Sequence, residues 1–448
     1  MLTRMLIIVV FFVVAPKVQS QTTSFRLSNG VPVTLNTIEQ AKDIAMEATY
    51  DVGFLHEPEG MVQASHLLEH LVCYSPCEGF ADREAMNFLN RVGSANAETL
   101  PALTHYDYAV PSEHFDKVVM IEASRMQQFS FSQAVMEREA KRCYQETDFV
   151  EANASAGMLK HAFMACSHAW RFQSTRALVR GGMEAFSSER LKAFHSQYYN
   201  PSHLTIAITG SISAGDAKRI LEKHIGSIAS RKVAASAIDW NKVPQGQVIH
   251  WDSKVRGVCI AWQPPVPQAE RTALSILGLL VMQKLSSDPE LKSKCDHVSC
   301  SNNIWAVGDI PLFVYATVRN GSDVEMVETL LADRFKRLLH DSCSEAALQI
   351  GPFLAQTQRD LTWVQMQEAA PILMKQGRSN AAAIQLCLMQ DALNRVLRKN
   401  LLGLERSEVT QPLTAKQLGE LVDRVVTIDS QRVVRILPLD DLSTKAAR

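Results

Sequence analysis

The chain has 448 residues, 46% hydrophobic and 21% charged, with a formal net charge of -1. That is the composition of an ordinary globular protein long enough for two sizeable domains. A charge balance this even, with no block of like charge, excludes nucleic acid and acidic membrane surfaces as partners held by bulk electrostatics.

In chain order, Arg4, a short apolar run over 5–15 and the small residues Val18 and Ser20 read as a secretory signal peptide, residues 1–20, cleaved after Ser20. The run is too short to span a bilayer. No other segment reads as a span, so the mature chain is expected to be periplasmic or secreted, with no stable membrane span. Residues 25–35 predict a hairpin around Asn29-Gly30. A strand is expected over 45–54, a turn over 57–60 and a helix over 61–73. Residues 80–92 predict a helix with Ala85, Phe88 and Leu89 on one stripe. Residues 93–97 lead into a strand that runs through 106–110, and helices follow over 114–128 and 131–150. Ser187 is placed to cap a helix over 188–199. A buried strand over 204–210 and a helix over 214–225 complete the first half.

Residues 234–247, with Asp239, Asn241, Pro244 and Gly246, read as a linker. Strands are then expected within 248–262, a turn at Pro264-Pro265, a helix over 272–285, a strand over 311–318 and a helix over 324–339. Long helical segments over 345–401 and a final strand over 432–437 follow. Setting 276–280 against 66–70 aligns helices that have similar strand-turn lead-ins. The halves therefore repeat one order of elements, the second without metal ligands.

The chemistry sits in Ala64-Ser65-His66-Leu67-Leu68-Glu69-His70. Residues four apart share a helix face, so His66 and His70 can present imidazole nitrogens to one metal ion, with Glu69 beside it. Two imidazoles and an adjacent carboxylate suit a zinc ion that activates water, and H-x-x-E-H is the inverzincin spacing. With 13 histidines in the chain, chance alone produces this spacing about two times in a hundred, so a third ligand is needed. Residues 136–146 offer Glu139 and Glu146, seven apart and hence on one helix face. A carboxylate there completes a His₂Glu set. Nine cysteines (73, 77, 143, 166, 259, 295, 300, 343 and 387) leave at least one unpaired. Cys73 and Cys143 each stand three residues from a proposed ligand, as packing residues or bonded to each other.

With these residues in place the chain resembles the M16 peptidases, the group of pitrilysin, insulysin and the mitochondrial processing peptidase. The likeness lies in H-x-x-E-H, the 75 residues between His70 and Glu146, Glu139 seven residues earlier, Gly93-Ser94-Ala95-Asn96-Ala97, and Tyr198-Tyr199-Asn200-Pro201. It implies an α+β fold of two homologous αββα-type domains, each an antiparallel sheet covered by helices. The expected boundaries are 21–235 for the zinc-binding domain and 246–438 for its counterpart without metal ligands. The resemblance further implies a zinc endopeptidase, one Zn²⁺ per chain, acting on peptides or unfolded segments. His66, His70 and Glu146 would be ligands, Glu69 the general base and Glu139 a supporting catalytic acid. Asn96 and Ala97 would lie on an edge strand that meets the substrate backbone. One departure stands out. Self-sufficient members carry an arginine and a tyrosine in the second half, whereas residues 291–299 offer lysines, Lys292 among them. A homologous partner subunit supplying that pair is therefore expected, and a non-catalytic, partner-dependent subunit is the alternative reading.

Overall fold

The computed structural model describes residues 20–38, 41, 43–58, 60–100, 103–152, 183, 186–231, 244–251, 255–262, 268–301, 312–348 and 413–438. All of the signal segment but Ser20, the Pro264-Pro265 turn, most of the linker and most of the 345–401 segment lie outside them.

The first half opens with β1 (Ser20–Arg26) and β2 (Pro32–Ile38), paired antiparallel across the Asn29-Gly30 turn. Next come β3 (Asp43–Tyr50), α1 (Ala64–Tyr74), α2 (Glu84–Val92), β4 (Ser94–Thr99) and β5 (Thr104–Pro111). Then follow α3 (Phe115–Gln127), α4 (Gln133–Ala152), α5 (Ser188–Tyr198), β6 (Leu204–Gly210) and α6 (Ala214–Leu221). The sheet order is β1-β2-β6-β3-β5-β4. Gly93, between α2 and β4, lets the edge strand close on β5. A Cβ there would stand 2.1 Å from the Ala109 carbonyl oxygen.

The second half repeats this plan. β7 (Gly246–Trp251) and β8 (Arg256–Trp262) precede α7 (Gln268–Ser287), α8 (Pro289–Lys294), β9 (Cys295–Ser301) and β10 (Leu312–Val318). α9 (Val324–Asp341), α10 (Ala415–Val425) and β11 (Gln431–Pro438) follow. Its order, β7-β11-β8-β10-β9, matches β2-β6-β3-β5-β4 strand for strand. Both sheets are mainly antiparallel. Each has one parallel pair, β2 with β6 and β7 with β11, where the chain returns through a helix.

β7 starts inside the stretch expected to be linker, and β9 and α10 were not foreseen. The polar sequence of β9, Cys-Asp-His-Val-Ser-Cys-Ser, conceals a strand that pairs with β10 and buries Cys295, Val298 and Cys300.

Each half has its own core. Leu67, Leu68 and Leu71 of α1 are completely buried in the first, as are Leu277, Val281 and Leu285 of α7 in the second. Burying each such side chain stabilises the fold by about 1.5–3 kcal/mol.

Candidate metal centre

The site grows from the start of α1. Gln63, just before it, has a left-handed backbone with φ 75°, which costs a non-glycine residue about 1–2 kcal/mol. The buried Glu57 carboxylate offsets this. It accepts the backbone N–H of Gln63 at 2.8 Å and of Ser65 at 3.0 Å, together with the Ser65 hydroxyl. A carboxylate at this end also satisfies first-turn N–H groups and the positive end of the helix dipole.

His66 and His70 follow one turn apart, their ring centroids separated by 4.9 Å. α4 packs against α1 and presents Glu139, Cys143 and Glu146 along one face. Glu146 Oε2 lies 3.3 Å from His66 Nε2 and 3.2 Å from His70 Nε2. Donors around a tetrahedral zinc at about 2.0–2.1 Å stand about 3.3–3.4 Å apart. The carboxylate stands at that spacing from each imidazole, and a nitrogen of each histidine lies within 4.8 Å of the other, so the donor set fits zinc. The His70 side chain is 5% exposed and that of Glu146 53%, so the cluster is closed on one side and reached from the other.

Glu139 lies on the far side of His70, its Oε2 3.4 Å from Nδ1. It is completely buried and accepts from Arg138 Nε at 2.7 Å and Arg142 Nη1 at 3.1 Å. Arg138 also forks onto Asp82 at 2.7 and 3.1 Å, and the Arg142 guanidinium covers the Tyr74 ring. A carboxylate on Nδ1 fixes the ring's orientation and tautomer and leaves Nε2 facing Glu146.

Glu69 is buried, and its carboxylate accepts the Thr99 hydroxyl at 2.7 Å. Thr99 ends β4, so Glu69 is tied to the edge strand. Strand alternation puts Ala97 on the Thr99 face and Asn96 on the opposite, exposed face, in register with Asp107. Among the described residues, β4 has no neighbour on its outer side.

The electrostatics reflect this crowding. Burial opposes protonation of His66, but Cys143, Glu146 and Glu69 push its pKa up to about 9. His70 is buried too, and Cys143, Glu139 and Glu146 raise it strongly. Hydrogen bonds from His66 and His70 hold Glu146 well below the usual carboxylate range. Burial works against ionisation of Glu139, yet His70, Arg138 and Arg142 bring it down. Burial likewise opposes the Cys143 thiolate, and the two histidines still lower its pKa.

All seven cysteines among the described residues are free, Cys73 and Cys143 included. Tyr198 and Tyr199 are core residues rather than site residues. The Tyr199 hydroxyl meets that of Tyr106 at 2.8 Å, and its ring stacks on His195. Lys292 is exposed on α8. Sequence reasoning missed a second buried polar cluster, Glu47, His105 and Asp107, which alternation assigns to the sheet face away from Tyr106 and Tyr108. His105 Nδ1 is 3.0 Å from Asp107, and its Nε2 is 3.5 Å from Glu98. Burial opposes its charge, but these carboxylates push its pKa up to about 11. The one signal in sequence was the His-x-Asp alternation on a strand.

Two family models match in tandem. The one described as "Insulinase (Peptidase family M16)" covers residues 33–180, and "Peptidase M16 inactive domain" covers 185–350. Zinc protease PqqE of Helicobacter pylori is 23% identical over 278 residues, 59% of this chain and 62% of that protein. The chain thus matches less than two thirds of that relative's length. In fold, a protease from Helicobacter pylori superposes with a TM-score of 0.66 at 17% identity, over 94% of this chain and 100% of the other. The first half of the periplasmic protease PqqL from Escherichia coli gives 0.56 at 14% identity, over 95% and 93%. Among the described residues no helix is long and apolar enough to cross a membrane.

Proposed function

The chain belongs to the M16 peptidase family, and from that premise we propose that it is a zinc-dependent endopeptidase acting on peptides or unfolded segments. In this reading residues 21–235 form the zinc-binding peptidase domain and 246–438 its counterpart without ligands. The convergence of His66, His70 and Glu146 on one point, at 3.2–3.3 Å, carries the reading.

These three residues would hold one zinc ion, which supplies Lewis acidity toward the scissile carbonyl and toward water. Glu69 accepts the proton of the attacking water and returns it to the leaving amine. Its hydrogen bond to Thr99 keeps the carboxylate at the end of β4 nearest the histidines. Glu139 acts through His70 and is a positioning residue rather than an acid that touches substrate. An extended peptide adds to the open edge of β4, with the backbone around Asn96 and Ala97 as its template. The likeness to the periplasmic protease PqqL of Escherichia coli supports a periplasmic or secreted location.

Glu69→Gln tests the reading. It should bind one zinc per chain like the wild type and cleave unstructured peptides about 10²–10⁴-fold more slowly. Wild-type protein that binds zinc but cleaves no peptide, alone or mixed with a homologous subunit, would sink the peptidase assignment. A specific observation favours one refinement. Residues 291–299 contain no arginine or tyrosine, and the exposed Lys292 offers a positive charge without a bidentate fork. A homologous partner supplying that pair would raise turnover on mixing.

A further inference from the structure

The three-ligand reading leaves one group at the centre without a task. Cys143 lies on α4 four residues after Glu139 and three before Glu146, on the face turned to α1. It is completely buried. Its Sγ and one nitrogen from each of His66 and His70 all lie within 4.8 Å of one another. The sulfur is a free thiol. Around a tetrahedral zinc, with Zn–S about 2.3 Å and Zn–N about 2.0–2.1 Å, sulfur and nitrogen stand about 3.6 Å apart, which falls inside that span.

We infer that Cys143 is a fourth protein donor, so that the chain offers the metal two imidazoles, one carboxylate and one thiol. The inference rests on the zinc reading of the site proposed above. On binding, the sulfur lone pair forms the bond to the metal and the thiol proton leaves to solvent. Two consequences follow. A sulfur donor shifts the site toward thiophilic cations such as cadmium. Four protein donors also fill a tetrahedral sphere, the arrangement of closed sites, whereas open catalytic sites keep three. Cys143 therefore tethers the metal, and the hydrolysis proposed above requires its sulfur to yield that position to water or the sphere to expand to five donors.

Cobalt substitution reads this without any activity assay. Full-length protein stripped of metal and loaded with Co²⁺ should bind one ion per chain. It should show visible ligand-field bands together with an intense sulfur-to-cobalt charge-transfer band in the near ultraviolet. Cys143→Ser should keep the visible bands and lose the charge-transfer band, and its zinc dissociation constant should rise at least about tenfold. Cys143→Val, which suits the apolar surroundings, should lose the same band with unchanged circular dichroism, separating ligation from folding. Cys73→Ser should keep the band. Wild-type protein that binds one cobalt without a charge-transfer band, or a band that survives in both Cys143 variants, overturns the inference and leaves the His₂Glu reading intact. Failure of the wild type to bind cobalt or zinc at all overturns both.

Discussion

α1 and α7 hold the same place in two sheets of the same strand order, yet they are built differently. Among its described side chains, α7 buries Ala273, Leu274, Leu277, Val281 and Leu285 and leaves Met282 and Lys284 outward, as a helix with one face in a core does. α1 is buried from Ala64 to Cys73 at every residue but His66, because α4 covers its second face. That second face carries His70 and Glu69. Every buried histidine among the described residues (His70, His105, His195 and His203) is in the first half. One fold plan therefore serves two purposes. The second half keeps the packing, and the first gives up apolar surface to hold polar groups away from water. Each of those groups needs a partner to offset the loss of hydration.

Three measurements test this contrast. The largest effect should come from the matched leucines. Leu71→Ala and Leu285→Ala each remove a completely buried side chain and should each cost about 2–5 kcal/mol in chemical denaturation. Zinc affinity, measured by competition with a chelator, should fall only for Leu71→Ala. An equal loss in Leu285→Ala would end the division of labour.

Acid comes next. His195 is buried between the Phe129 and Tyr199 rings, with Nε2 on the Arg125 carbonyl, and burial pushes its pKa down to about 3. The unfolded chain, with a histidine pKa of about 6.5, takes up the proton first. The contribution of His195 is thus fully present above about pH 6.5. It is lost as the pH falls toward 3, by up to about 1.4 kcal/mol per pH unit. Urea denaturation between pH 7 and 4 should show the first half weakening before the second, and His195→Phe should reduce that slope. Identical acid sensitivity of the two halves would contradict the account.

The smallest effect is at the helix caps. Ser187 caps α5 and Thr414 caps α10, the helices that lead into β6 and β11, and each side chain accepts the N–H three residues on. Ser187→Ala and Thr414→Ala should each cost about 1 kcal/mol. A cost at one cap alone would show that the repeat does not extend to its helix starts.

How much of this was legible depended on distance along the chain. His66, Glu69 and His70 lie within two turns of one helix, so their common face follows from 3.6-residue periodicity. Glu139 and Glu146 could be paired the same way. Which carboxylate faces Nε2 and which Nδ1 depends on the rotation of α4 against α1, a tertiary fact. Cys143 stood out only as a neighbour of a ligand, and the convergence of its sulfur on both histidines needs that same rotation. Glu47 and His105 lie 58 residues apart and meet only because β3 pairs with β5. α10 went unread although Leu418, Leu421, Val422 and Val425 form a clear apolar stripe. The strands at 204–210 and 312–318 were legible because both are mostly apolar and rich in β-branched residues, Thr205, Thr209 and Thr317 among them.

Glu57 has a consequence of another kind. Successive residues of a helix are rotated by about 100°. If α1 began one residue early or late relative to its surroundings, His66 and His70 would turn by that angle, away from Glu146. By gripping the N–H groups of Gln63 and Ser65 at once, the Glu57 carboxylate works as an index pin. It sets the angular phase of the helix, and with it the aim of both imidazoles, from before the helix begins.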